Sequence, residues 1–222
     1  IHREATKIKK ISVKIFIKKI LNNIFINLRS QKNAFIAGTC LPFFEEKKLE
    51  MSINYLPSFY VSPTIKYKSV DPEIRKKFKL NSSSELSLEN FIKSNLHWFL
   101  PKAYLENFNE LITLAQSKCF PQNPKFIFTS ILYNFDEVFK VYAASKIKNR
   151  PLFIGQHGNN YFTQIDSNYF LELKFADKFF SWGYEDAEKK NIIRSFNFKT
   201  FNRKIKRNKT KSKKIIILIN LY

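Results

Sequence analysis

Three observations predict an α/β fold, a Rossmann-like parallel sheet with helices on both faces. Short apolar runs that end in Gly or small polar residues recur along the chain, and segments of helical periodicity separate them. The chain is also 44% apolar and 16% aromatic, which is the composition of a packed globular protein and excludes wholesale disorder. Its 222 residues suffice for one well-buried domain, or one domain and part of another.

The elements follow in order. Residues 8–28 place Ile8, Ile11, Ile15, Leu21, Phe25 and Leu28 mostly three or four apart, with lysines between them, which predicts an amphipathic basic helix. Ala34 to Thr39 is a short apolar run and reads as a buried strand, and 43–52 reads as a helix. Pro57 and Pro63 punctuate a loop expected to continue to about residue 85. A helix should start near Ser87, and another at Pro101, where Tyr104, Phe108, Leu111, Ile112 and Ala115 keep helical spacing. Strands are then expected at 124–130, 151–155 and 177–183. A helix opened by Asp136 and Glu137 separates the first two, the acidic pair being favourably placed at its N-terminus. A short helix at about 167–175 precedes the third.

The domain reading takes 1–202 as an N-terminal α/β domain. The basic stretch 203–214 reads as a linker, and 215–222 as the first strand of a further domain. A chain that opens on Ile1 and stops just after Ile215-Ile216-Ile217-Leu218-Ile219 is expected to be a fragment, too short to catalyse alone.

The net charge of +21 has two readings. Lys, Asn, Ile and Phe abound, as AT-rich codons dictate, so the charge can be compositional bias on solvated faces. Alternatively it serves anionic partners, such as sugar nucleotides, lipid carriers, a membrane surface or nucleic acid. Cys40 and Cys119 lie far apart in apolar surroundings and are expected as buried thiols of a reducing compartment. With no apolar stretch of about 20 residues, a cytoplasmic protein is expected, with peripheral contact at the inner membrane face as a further option.

Among motifs, absences constrain first. There is no phosphate-binding glycine loop, no Rossmann glycine fingerprint, no Cys-x-x-Cys, no Gly-x-Ser-x-Gly and no Asp-x-Asp. No metal ligand set and no cofactor is therefore assigned. What remains is the turn after the strand 151–155, with Gln156, His157, Gly158, Asn159, Asn160 and Tyr161. In open parallel sheets ligands bind at the carboxyl ends of the strands, and this turn supplies backbone N–H groups and polar side chains there. His157 titrates in the range needed for general acid or base work, or for holding an anion when protonated. The bland alternative is a tight turn with a structural histidine.

Glu172 is placed to orient His157 or to meet an acceptor hydroxyl, unless it is simply an exposed helix carboxylate. Ser130 ends a strand at the same edge, with Asn134 as a possible partner. Trp182 and Tyr184, around Gly183, can wall a sugar ring, although a core Trp under a loop is the commoner arrangement.

Five ordered blocks carry a resemblance. They are Leu100 to Phe108, Phe126 to Ser130, Asp136 to Lys140 with Ala143 and Ala144, Gly155-Gln156-His157-Gly158, and Asp177 to Tyr184. Together they resemble a family of transferases of bacterial surface-polysaccharide biosynthesis. The resemblance implies a two-domain glycosyltransferase of GT-B architecture, with acceptor on the N-terminal side and nucleotide-sugar donor mostly on the C-terminal side. On this reading His157 and Glu172 are catalytic. Gln156, Gly158, Asn159, Asn160, Tyr161, Ser130, Trp182 and Tyr184 bind substrate, and the partners are a nucleotide-sugar donor and a glycan or lipid-linked acceptor. A non-catalytic basic module is the alternative. The chain departs from the family pattern at Asn159 and Phe162, where the family has Gly, and at Tyr184, where it has Trp.

Overall fold

The computed structural model describes residues 33–81, 87–159, 161–162 and 170–202, together with seven positions between 16 and 28. The predicted linker 203–214, the predicted strand 215–222 and Asn160 lie outside the described residues. So does most of the predicted basic helix 8–28, whose described positions are all helical.

The strands are β1 (Phe35–Ile36), β2 (Ile127–Thr129), β3 (Leu152–Gly155), β4 (Lys178–Ser181) and β5 (Ile192–Arg194). They form one five-stranded sheet in sequential order, with every pairing parallel. Four coincide with predicted runs. β5 was not predicted, because Ile192-Ile193-Arg194 is too short and too polar at its ends to register as an apolar run.

The helices are α1 (Phe43–Ser52), α2 (Pro72–Lys76), α3 (Leu88–Phe99), α4 (Phe108–Ala115), α5 (Leu132–Phe135), α6 (Glu137–Lys146) and α7 (Phe170–Phe175). Two expectations are corrected. The long loop contains α2, because Asp71 caps it by accepting from the N–H groups of Glu73 and Ile74 while Pro72 sits at the first helical position. The helix expected from Pro101 is broken: a 3₁₀ turn, Lys102–Tyr104, is followed by α4. Leu105 takes a non-helical backbone there, and buried Asn107 turns its amide to the loop at Lys66 and Lys68. Where the sequence signals were capping residues they held: Ser87 accepts from the Asn90 N–H and Asp136 from the Phe139 N–H.

Side chains alternate across the strands, as a pleated backbone requires. Phe35, Ile127, Leu152, Ile154 and Phe179 face the main core with Leu111 of α4 and Val138, Phe139 and Tyr142 of α6. Ile36, Phe128, Phe153 and Phe180 point to the opposite face, where Leu49 of α1 and Phe198 of a C-terminal 3₁₀ turn, Phe198–Thr200, cover them. Sequential strand order with one hand of crossover brings α4, α6 and α7 to a single side, which explains why that core is the thicker one. Its centre is aromatic: the Phe35 ring lies 5.2–5.6 Å from those of Tyr60, Phe120, Phe139 and Tyr142. Both cysteines are half-buried rather than buried as expected, and they form no disulfide with each other.

Candidate functional site

Parallel strands deliver their carboxyl ends to one edge, and the predicted turn sits there. Gly155 closes β3 because no larger residue fits: a Cβ would lie 2.4 Å from both the Phe198 ring and Ser130 Oγ. Gln156 then continues the sheet, its N–H donating to the Phe180 carbonyl at 2.9 Å. Its side chain is a strut. Nε2 donates to the Gly158 carbonyl at 2.7 Å, and Oε1 accepts from the Trp182 N–H at 2.7 Å. Ser130 is also committed internally, with its hydroxyl donating to the Thr39 carbonyl at 2.9 Å and fully buried. Gln156 thus ties the end of β3 to β4, and Ser130 ties the end of β2 to the loop after β1; the space above Gly158 is open. Asn159 follows at the exposed tip of the turn.

His157 stands at the centre of a polar relay. Its Nδ1 lies 2.6 Å from the Tyr161 hydroxyl, which donates at 2.6 Å to Glu172 of α7. Tyr133 of α5 completes the group, its hydroxyl 3.3 Å from His157 Nδ1 and 3.5 Å from that of Tyr161. Tyr161 and Glu172 are both buried. Burial raises the Glu172 carboxyl above its ordinary value, while bonds from Tyr161 and Tyr133 act to lower it. Burial likewise raises both tyrosine hydroxyls, so they stay protonated and serve as hydrogen-bond carriers. Because Tyr161 gives its single hydroxyl proton to Glu172, the contact with His157 calls for a proton on Nδ1.

Desolvation lowers the affinity of His157 for a second proton, and the nearby Lys199 ammonium lowers it further; the Ser130 carbonyl opposes them. The imidazole is thus neutral at pH 7, suited to take a proton rather than to hold an anion. Positive charge at the edge comes from Lys199 instead. Its Nζ lies 6.0 Å from the centre of the Trp182 ring, and its field reaches both His157 and Cys40 of the loop after β1. Phe198 anchors this lysine by packing against Gly155.

Beside β1, Gly38, Thr39, Cys40, Ser58, Tyr60 and Lys47 line a cavity of about 330 Å³. Buried Lys47 bonds Glu46 at 3.0 Å and Glu50 at 2.6 Å, and Thr39 Oγ1 donates to Glu46 at 2.7 Å.

Tyr184 and Phe162, two of the positions that depart from the resembled pattern, touch. Their rings stack at 4.0 Å and 17°. Phe162 has φ of +62°, the left-handed backbone a glycine adopts freely, and the stack on Tyr184 offsets the cost of a side chain there. The Tyr184 face is therefore already covered, and Trp182 is the aromatic that borders Lys199.

Sequence reasoning named His157, Tyr161 and Glu172 but missed two neighbours. Tyr133 carried a readable signal, three residues beyond Ser130 at the same edge. Lys199 carried none, since a C-terminal turn is brought to the edge only by Phe198 packing.

Fold and site together define an α/β protein with a hydrogen-bonded His–Tyr–Glu group at the carboxyl edge of a parallel sheet. A family model described as LIC12162 family transferase matches residues 2–221, and the chain belongs to that family. No curated protein and no solved structure matches the chain.

Proposed function

We propose that this transferase moves a sugar from a nucleotide donor onto a surface polysaccharide or lipid-linked glycan, and that the chain forms the acceptor side of a GT-B architecture. The observation that carries the reading is the His157–Tyr161–Glu172 relay at the carboxyl edge. In the reaction, His157 takes the proton of the acceptor hydroxyl as that oxygen bonds to the sugar carbon. The bond from carbon to phosphate oxygen breaks, and the nucleotide leaves with the electron pair. Glu172, through Tyr161, steadies the imidazolium that forms, the role a buried acid plays toward a catalytic histidine. Lys199, whose charge is felt at His157, supplies positive charge toward the leaving phosphate on this reading. Trp182 and the open space at Gly158 border the acceptor.

The test is transfer of labelled sugar by the product of the gene that encodes this chain, with surface glycan followed in cells. His157→Ala should abolish both at normal protein level. Tyr161→Phe should lower the rate roughly 10- to 100-fold while the protein stays folded. The rate should fall with acid only below the ordinary His value of 6.5, because His157 binds its proton weakly; Lys199→Ala should move that limb upward. Undiminished transfer by His157→Ala would remove the histidine, and this mechanism with it.

A further inference from the structure

Helix α3 is inside out. Along a helix, side chains three and four apart share a face. On α3 that face is Leu88, Phe91, Ile92, Leu96 and Phe99, an apolar stripe that in a globular protein points to the core. Here it points to solvent: Leu88 is 75% exposed, Phe91 63% and Phe99 77%. The buried side is polar. His97 faces inward, and the buried Arg75 guanidinium donates at 2.8 Å to the carbonyls of His97 and Trp98, closing the helix C-terminus. Glu106 holds the other side of Arg75 at 2.7 and 3.1 Å. The orientation is thus enforced from beneath by a bonded ion pair, not left over from weak packing.

The stripe has neighbours of the same character. Leu80 joins Leu88, Ile92 and Leu96 along a shallow groove whose lining also holds the Glu89–Lys93 ion pair, and Phe78, two residues before Leu80, is half-exposed. Lysines alternate with these residues in Lys77-Phe78-Lys79-Leu80, and neither lysine has an ion pair among the described residues. Trp98 stands at the border of the stripe, 48% exposed. Apolar and aromatic side chains framed by unneutralised lysines are the make-up of a surface that lies in the headgroup region of an anionic bilayer. A second copy would bring like charge to like, in a chain of net charge +21. Crossing is not at issue: among the described residues no helix is long and apolar enough to span a membrane.

We infer that α3 with the Lys77–Leu80 segment is a membrane-contact surface that inserts Leu88, Phe91, Ile92 and Phe99 into the interface of an anionic leaflet. The inference is independent of the transfer chemistry.

The test uses the whole chain carrying Trp182→Phe, which leaves Trp98 as the sole indole. Mixed with vesicles of phosphatidylcholine and phosphatidylglycerol, the protein should co-sediment and Trp98 emission should shift to the blue. Phosphatidylcholine alone should bind it far less. The pair Phe91→Ser with Phe99→Ser should lower partitioning at least about tenfold, with circular dichroism unchanged. Lys77→Gln and Lys79→Gln should each cost about fivefold on anionic vesicles only. Phe135→Ser, an exposed apolar residue elsewhere, should change nothing. Vesicle binding that ignores the two Phe changes, or no binding at all, would overturn the assignment. So would a concentration-dependent dimer that the same changes dissolve, which would make the stripe an interface between copies.

Discussion

Helices α3 and α4 carry the same kind of apolar stripe and turn it in opposite directions. On α4, Leu111 is fully buried and Ala115 nearly so, against α6 and the sheet. On α3 the stripe faces solvent, and the helix is held by Arg75, Glu106 and two backbone carbonyls. Amphipathicity therefore says that a helix has an apolar side, but not that the domain's own core is what covers it. One helix is fastened by dispersion and water exclusion, the other by charge-assisted hydrogen bonds.

That contrast can be broken at either end. Leu111→Ala removes a fully buried side chain from the close-packed core and should destabilise by about 2–5 kcal/mol in denaturant unfolding. If the loss were below 1 kcal/mol (roughly the scale of a surface change), α4 would not be the core helix described. Next comes the polar underside of α3. Arg75→Met should strand Glu106 and lower the melting temperature on the order of 10 °C.

The pH dependence sharpens this. Bonds from Arg75 hold the Glu106 carboxyl down to about 2, against an ordinary 4.5. A depressed folded value means the stabilisation is complete above 4.5 and is lost as pH falls through about 2. Acid titration of stability should therefore be steep in that window for the natural chain and shallower for Arg75→Met. The smallest effect is expected on the outer face: Phe91→Ser should leave stability within about 0.5 kcal/mol, since the ring is mostly exposed. A large loss there would show the stripe to be packed in solution.

Much of the fold was legible because its signals are local. The runs around Ile127, Ile154 and Phe179 became strands, and Ser87 and Asp136 began helices, since a cap needs only its own next turn. The break after Tyr104 was not legible, because the amide of Asn107 is drawn to a loop some forty residues away in sequence. The site was half legible. His157, Tyr161 and Glu172 lie close enough in sequence to suggest a group, yet Gln156 and Ser130, plausible ligand-binding residues on paper, spend their hydrogen bonds inside the protein.

By itself, the sequence determined four of the five strands, the helix starts at Ser87 and Asp136, that the sheet is parallel, and that a polar turn follows β3. These depend on periodicity, capping and the fixed polarity of strands, all short-range properties of the chain. Only the tertiary structure decided which face of α3 is buried, which polar side chains are already partnered, and that Lys199 joins the edge through Phe198 against Gly155. Each of those outcomes depends on contacts between residues distant in sequence, which no local pattern encodes.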